Sequence, residues 1–437
     1  MGPAILYIPR SYELSVMQTT AIFSTILVGA LIGTFGSGYI SDAIGRRPVI
    51  ILSGLVGTIA AAGGAITSSA WQMVIARFVL GLALGAASVL CGLFLAEASP
   101  APIRGRLQGY GNLGGWLGGI FAYLVGVIFI YTTPGEVSWR LTLGLNAILF
   151  LFATLATACY LPESPRWLVS KNREPKAYKT LATIYGDDRR EELQIEYGNM
   201  LQGIYKRHSL EARKDSFFRA EYRKPLLLTF ILNILQQLSG NSMIALYSSI
   251  ILSGLGFSDL LSVMISGLSI IPQALIIWFI VHHLDTSGRR LPLLISIAGT
   301  GVSLIILATM ICLGTQHHIC IWFSLTGIFL NRIFFSTGLG PLPAVVGAEV
   351  LPYAVRGRGL SAAMGVGEAV KIVTVVLFLP LTKNVHPAFI YGSLAAAMFV
   401  GFIYILVQLK ETKAKSLDLS ITARPVQTPP NAERCQS

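Results

Sequence analysis

Charge is what this chain has least of. Charged residues make up 12% of its 437 residues, while 53% are hydrophobic. An ordinary soluble domain carries about 25% charged residues, enough to cover its surface with polar groups. This chain cannot do so, which excludes a free soluble globule. Five cysteines give no disulfide framework. Cys91 and Cys159 fall in apolar stretches, where buried structural thiols are expected, and Cys312 and Cys320 flank one short loop and are expected to stay unpaired. No N-x-S/T acceptor occurs, and no cleavable leader pattern is evident. Catalytic machinery is missing as well. No nucleophile triad or phosphate-binding loop can be read, and the glycine-rich stretches lack the strand context of a dinucleotide fingerprint. The adjacent pairs His282-His283 and His317-His318 are poorly placed for joint chelation on a helix. The sequence therefore implies no enzyme, no cofactor and no metal.

What the chain does have is long apolar runs. Eleven are visible, at about 19–40, 48–68, 71–95, 107–131, 139–161, 225–252, 258–283, 292–313, 319–349, 358–382 and 387–409. A helix needs about 20 apolar residues to cross a hydrocarbon core of roughly 30 Å. In lipid only helices and closed barrels satisfy the backbone, and these runs are too long and too uniform for barrel strands. An all-α polytopic membrane protein follows.

The net charge of +12 reflects topology. With the C-terminus on the cytoplasmic side, alternate connections hold Arg46 and Arg47, Arg104 and Arg106, fourteen Lys/Arg in 162–224, Arg289 and Arg290, Arg356 and Arg358, and five in the tail. The opposite side has Arg10, Lys383 and, at the membrane edge, Arg140. This is the positive-inside asymmetry, so the excess is not a nucleic-acid footprint. Arg77, Arg332 and Lys371 lie inside spans.

The chain repeats itself. Asp42-x-x-Gly45-Arg46-Arg47 recurs 243 positions on as Asp285-x-x-Gly288-Arg289-Arg290. Ala96-Glu97-x-x-Pro100-x-x-x-Arg104-Gly105-Arg106 recurs 252 positions on as Ala348-Glu349-x-x-Pro352-x-x-x-Arg356-Gly357-Arg358, and Glu163-Ser164 is echoed 248 on by Glu411-Thr412. Three matches at nearly one offset imply a tandem duplication with both copies in the same orientation, which is a known transporter architecture with its site between the copies near mid-membrane. The organisation expected is a short extracellular segment 1–18, a bundle 19–161 of five spans, a cytoplasmic linker 162–224 with short helices near 174–185 and 188–205, a bundle 225–409 of six spans, and a disordered cytoplasmic tail 410–437. The motif follows two spans in the second half and one in the first, so the first half is expected to lack its first helix. By parity the N-terminus then faces outward.

Four groups of residues are candidates for function. Asp42, Gly45, Arg46, Arg47, Glu97, Arg104, Glu163, Arg166, Asp285, Arg289, Arg290, Glu349 and Arg356 stand at cytoplasmic span ends. They are either gate elements linking the halves or only topology anchors. Gln236, Gln237, Asn241, Ser242 and Tyr247 crowd one span, with Gln273 and Asn112 mid-span elsewhere. Amides in lipid need a partner; they suit the hydroxyls of a polyol, or else glue helices together. The run Gly338-x-Gly340-Pro341-x-Pro343 breaks a helix in mid-membrane, as a hinge or a static kink. Glu368 and Lys371, at i, i+3, form with Arg332 a charged set inside the bilayer. Either these residues neutralise one another, as Glu368–Lys371 or Glu368–Arg332, or the leftover positive charge meets an anionic or strongly hydrogen-bonding solute, or Glu368 carries a proton.

Taken together, D-x-x-G-R-R, Arg77-x-x-x-Gly81-x-x-x-Gly85, E-x-x-P-x-x-x-R-G, Pro162-Glu163-Ser164-Pro165-Arg166, Gln236-Gln237-Leu-Ser-Gly240 and G-x-G-P-x-P resemble the sugar porters of the major facilitator superfamily. The phrasing around Pro162–Ser170 and Glu349–Pro352 is most like insect trehalose and hexose facilitators. The resemblance implies the major facilitator fold, two parallel pseudo-symmetric helical bundles, with eleven spans seen where the family has twelve. It implies alternating access, either facilitated or proton-coupled, and a plasma-membrane location. The partners implied are a small solute, a sugar first of all, the lipid bilayer, and protons if flux is coupled. Gln236 and Gln237 would contact sugar, with Gln273 where the family often has Asn. The pocket departs from the family elsewhere. The family Asn falls on Ser242, with Asn241 one place early, Leu246 replaces a Tyr and Ala344 a Trp. Asn112 stands at the family's span-five Gln, and Glu368 and Lys371 stand at aromatic and amide positions. These departures keep two alternatives open, a non-transporting sugar sensor and a carrier of another small polar or anionic solute.

Overall fold

The computed structural model describes residues 7–9, 11–99, 104–133, 135–185, 193–195, 197–198, 200–201, 220–313, 318–351 and 353–409. The first group of helices comprises α1 (Val16–Ile44), α2 (Arg46–Ala65), α3 (Ala70–Ala98), α4 (Arg104–Thr132) and α5 (Gly135–Tyr160), followed by the short α6 (Pro165–Ser170) and α7 (Glu174–Tyr185). The second comprises α8 (Ala220–Leu238), α9 (Asn241–Gly254), α10 (Asp259–Leu268), α11 (Ile270–Ser287), α12 (Arg290–Leu313), α13 (His318–Thr337), α14 (Leu342–Val350), α15 (Tyr353–Asn384) and α16 (Pro387–Gln408). Among the described residues, ten helical stretches are long and apolar enough to cross a bilayer. The expected run 225–252 is covered by two pieces, α8 and α9, that break at Ser239 and Gly240.

Local chemistry sets the helix starts. Ser15 and Gln18 form a reciprocal capping box at α1. Ser164 caps α6, whose first residue is Pro165. At the far end of α2, Arg140 donates to the carbonyls of Ala65 (3.0 Å) and Thr67 (2.8 Å) and lies over Trp139, 4.5 Å from its ring centre. A cation at a helix C-terminus satisfies carbonyls that have no partner within the helix. Tyr12 donates to the Thr67 carbonyl at 2.7 Å, and Ile8 is buried, so the described part of the leading segment packs into the fold rather than lying outside it.

Within the first group, α1 packs most extensively on α3, and α2 on α5. The α1–α3 crossing is unusually close. A Cβ on Gly81 would lie 2.2 Å from the Ile26 carbonyl oxygen and one on Gly85 2.0 Å from that of Ala30. Reciprocally, Gly29 and Gly33 face the carbonyls of Phe78 and Leu82. Without a hydrophobic drive between helices in lipid, such backbone-to-backbone approach maximises dispersion contact. In the second group α12 packs on α13 and α16, and α8 on α15.

The two groups meet along two seams, α1 against α15 and α4 against α10 and α11. Phe35 sits over Gly365 at the first and Tyr123 over Gly267 at the second. Large apolar side chains such as Ile59, Phe152, Phe389 and Ile403 stand exposed on the outer faces, as lipid contact requires. Cys91, Cys159 and Cys312 are exposed, which corrects the expectation of buried thiols at the first two; a span need bury only the face that packs on its neighbours. Cys320 is buried, and all four are free.

Candidate functional site

At the end of the bundle that carries Arg46, the α1–α2 turn closes on a network. Gly45 has φ +112°, a conformation that side chains disfavour, and a Cβ there would lie 2.3 Å from Glu163 Oε2. The glycine thus lets Glu163 reach the helix start, where its Oε1 accepts the backbone N–H groups of Arg46 (2.9 Å), Arg47 (3.2 Å) and Ser164 (2.8 Å). A carboxylate at a helix N-terminus takes up otherwise unmatched donors. Arg46 then grips Glu97 bidentately, Nε and Nη2 each at 3.1 Å, and its Nη1 meets Asp42 at 2.8 Å. Ser164 donates its hydroxyl to Glu97, and Trp167 its indole N–H to the Asp42 carbonyl at 3.1 Å. Arg47 donates to the Ala158 carbonyl at 2.6 Å.

The second half repeats the arrangement. Gly288 has φ +75°, Arg289 Nε meets Glu349 at 3.1 Å, and Arg290 donates to the Leu406 carbonyl at 2.9 Å. Leu406 lies 248 positions after Ala158, the offset of the sequence repeat. These pairs join span ends within a half. None of these ion pairs crosses from one half to the other. The reason is geometric: each arginine stands at the start of a helix, and a neighbouring helix of the same group ends beside it with its glutamate, Glu97 or Glu349. The side chains of Arg104, Asp285 and Arg356 lie outside the described residues, as does that of Asn112. Arg166 follows Pro165 at the start of α6.

At mid-membrane two helix breaks face each other. One lies between α8 and α9, where Gly240 has φ +74°. The other lies between α13 and α14, at Gly338–Pro341. Pro343 has no N–H to offer the Leu339 carbonyl four residues back. Gln236 supplies the donor instead, its Nε2 reaching Leu339 O at 2.9 Å and Gly340 O at 3.1 Å. Gln236 Oε1 accepts from Gln237 Nε2 at 3.2 Å, and Gln237 Oε1 from the Ser242 hydroxyl at 3.2 Å. Four of the sequence-selected residues thus join in one chain: Ser242, Gln237, Gln236 and the Gly340 break. Asn241 opens α9 beside them, with its buried Oδ1 unmatched among the described residues.

Tyr247 stands apart. It is buried, donates to the Val375 carbonyl at 3.1 Å and stacks on Phe378 at 5.2 Å between ring centres, so it fixes α9 to α15. Glu368 and Lys371 pair with each other on α15 and are half-buried. Arg332, only 2% exposed, donates from Nη1 to Gln273 Oε1 at 3.1 Å. Of the alternatives left open by sequence, the charge on Glu368 goes to Lys371 and not to Arg332.

Sequence reasoning missed the residues behind this chain. Asn331 donates to the Ser239 carbonyl at 3.0 Å and to the Ser303 hydroxyl at 3.2 Å, holding the α8–α9 break. Ser296 bridges the second break, donating to Phe334 O at 2.6 Å and accepting the Leu339 N–H at 2.9 Å. The signal was available: Asn331 and Ser296 are polar residues in otherwise apolar runs.

Comparison with known proteins fits this geometry. The family described as "Sugar (and other) transporter" matches residues 7–421. The chain belongs to that family. It is a multi-pass membrane transporter, not an enzyme. The D-xylose transporter of Levilactobacillus brevis is 27% identical over 96% of this chain and 91% of that protein. The glucose transport protein of Synechocystis sp. is 28% identical over 95% and 91%. Among solved structures, the xylose transporter XylE from E. coli in a partially occluded inward-open conformation superposes with a TM-score of 0.78 at 20% identity, covering 95% of this chain and 94% of that one. A further XylE structure, of the major facilitator superfamily proton:xylose symporter, gives a TM-score of 0.74. The fold of this transporter is the major facilitator fold.

Proposed function

We propose that this transporter carries a sugar across the membrane by alternating access, with the sugar seated between the two helix groups. One observation supports the reading above the rest: at mid-membrane, two discontinuous helices are joined by a chain of amides and a hydroxyl that reaches from Ser242 to the Gly340 break. Irregular backbone at that depth is tolerated where it lines a site, and amides offer both donors and acceptors to sugar hydroxyls. Both hydrogens of Gln236 Nε2 are engaged with backbone carbonyls. Gln237, Ser242 and Asn241 keep hydrogen-bonding capacity and are the solute contacts of first choice. Gln273, Asn112, Glu368 and Lys371 complete the set, and Tyr247 acts through packing.

The arginine–glutamate clamps at Arg46 and Arg289 make each half rigid at its basic end, and Gly340, Pro341 and Pro343 form the hinge. The bundles that rock are 19–161 and 225–409, joined by the linker 162–224 and flanked by the segment 1–18 and the tail 410–437. The asymmetry of basic residues supports a plasma-membrane protein with its C-terminus in the cytoplasm. Related proteins named for xylose and glucose suggest monosaccharides, and the resemblance to insect facilitators adds trehalose. The test is uptake in proteoliposomes against xylose, glucose and trehalose, with and without an imposed pH gradient. Saturable flux of at least one sugar is expected, and acceleration by inward-directed protons would mark coupling. Sugar binding without flux would refute carriage and leave a sensor.

A further inference from the structure

Arg332 and Gln273 form a pair whose unspent buried groups are donors. Arg332 lies 13 residues beyond Ile319 in the apolar run Ile319–Val350, about 20 Å along the helix at roughly 1.5 Å per residue, near the middle of the bilayer. Gln273 is fully buried. The guanidinium Nη1 engages the amide oxygen. What remains is donor on both sides, since neither Gln273 Nε2 nor Arg332 Nε has an acceptor among the described residues. No carboxylate meets Arg332 there, and Glu368 is taken by Lys371.

The position of this charge is as informative as its isolation. Gln273, which holds Arg332, stands on α11, and α11 packs against α4 of the other helix group. The cation therefore sits beside the α4–α11 seam, where the two helix groups face each other and a carried solute would pass. An arginine kept in mid-membrane without a counter-charge is costly, and such residues face partners or solute paths.

We infer that Arg332 and Gln273 receive the carboxylate of an acidic monosaccharide, a sugar of the uronate class, in the same cleft. This rests on the sugar-carrier reading and narrows it. The guanidinium fork matches a carboxylate bidentately, and the Gln273 Nε2–H offers a third donor to that group or to an adjoining hydroxyl. The charge count favours a carboxylate over a phosphate ester. One cation and one monoanion give a neutral occluded complex, whereas a dianion would carry an excess negative charge into the bilayer.

The experiment measures uptake of labelled glucose and glucuronate into proteoliposomes holding the wild-type chain, with unlabelled glucuronate or its methyl ester as competitors. The ester keeps the shape and removes the charge. The expected result is saturable glucuronate flux, with the ester competing at least tenfold more weakly than the acid. In Arg332→Gln the ratio of glucuronate to glucose flux should fall at least tenfold, and Arg332→Lys should recover part of it. Equal competition by acid and ester overturns the inference without need of any variant, as does an unchanged ratio in Arg332→Gln. Glucose flux with no uptake of, or competition by, glucuronate overturns the inference and leaves the sugar reading standing. If neither glucose nor glucuronate moves or competes, the inference falls, and the sugar reading falls with it only if xylose and trehalose also fail to move.

Discussion

Replacing Gln236 with alanine separates two roles for one amide. If the side chain chiefly binds solute, its loss raises KM and leaves the fold alone. The geometry assigns it a heavier duty. Its Nε2 holds the carbonyls of Leu339 and Gly340, the first of which Pro343 cannot serve. Leu339 itself is fully buried. Leaving a buried carbonyl unmatched costs about 1–3 kcal/mol, and losing a second hydrogen bond adds about 1 kcal/mol, so the variant should be destabilised by roughly 2–4 kcal/mol. Gln237→Ala should behave differently. Its loss takes a donor from Gln236 Oε1 and an acceptor from the Ser242 hydroxyl, both side-chain groups that can reorient, so its cost should stay near 1 kcal/mol. The assay is the melting midpoint of detergent-purified protein, read as the folded fraction after heating, beside the KM for the best sugar. Gln236→Ala should melt several degrees below wild type, while Gln237→Ala melts close to it but shows the larger rise in KM. A Gln236→Ala protein with an unshifted midpoint and a raised KM would refute the reasoning, because the amide would then be a solute contact and the helix break self-supporting.

Other perturbations follow from the same structure. Gly85→Ala should destabilise by about 1–3 kcal/mol, because its Cβ would meet backbone at 2.0 Å and α1 must back away from α3; the melting midpoint reads this out, and Gly63→Ala, which meets nothing within 4 Å, should be close to neutral. Gly45→Ala should cost at least as much, combining a disfavoured φ with displacement of Glu163, and the companion Glu163→Gln should recover little of it because the obstruction is steric. A double-mutant cycle on Arg46→Ala and Glu97→Ala should give a coupling of about 1–3 kcal/mol in stability, whereas one on Arg46 and Glu349, which lie in different halves, should give about zero. In Glu368→Gln the Lys371 ammonium loses its partner, so midpoint and flux should both fall if the pair is structural; a stable protein that loses only its response to a pH gradient would show that Glu368 carries a proton instead.

Features that repeat over long stretches were plain in the sequence. Apolar runs of membrane length marked the ten stretches long enough to span among the described residues, because lipid leaves a helix no alternative, whereas the run 225–252 is broken at Ser239 and Gly240. The tandem motifs located both turns at Gly45 and Gly288, since a positive φ and a following pair of arginines leave a mark at fixed spacing. Partnership was not legible. The sequence left Arg46 as either a gate element or a topology anchor and named no partner for it; it closes on Glu97 of its own half, beside the close α1–α3 approach at Gly81 and Gly85. Whether Glu368 met Lys371 or Arg332 depended on the relative rotation of α13 and α15, which no local pattern encodes. Tyr247 belonged to the amide-rich run by sequence, yet lies a helix break and nearly two turns beyond Gln236, on the side that packs against Phe378.

The distribution of bonds itself argues for rocking of rigid halves. Ion pairs between described side chains, such as Arg46–Glu97 and Arg289–Glu349, fasten helices of one half to each other. The seams between halves are built differently, with Phe35 on Gly365 and Tyr123 on Gly267. An aromatic face against a glycine is attractive but undirected, so it can slide by an ångström without a bond being broken, whereas a bidentate arginine–carboxylate pair cannot. A molecule that had to move as two bodies would place its directional bonds inside each body and its undirected contacts between them. The exceptions are then informative. Arg332, held to Gln273 on α11 where α11 packs against α4 of the other half, is a directional group beside that seam. A charge kept where sliding contacts would suffice is what the proposed solute contact accounts for.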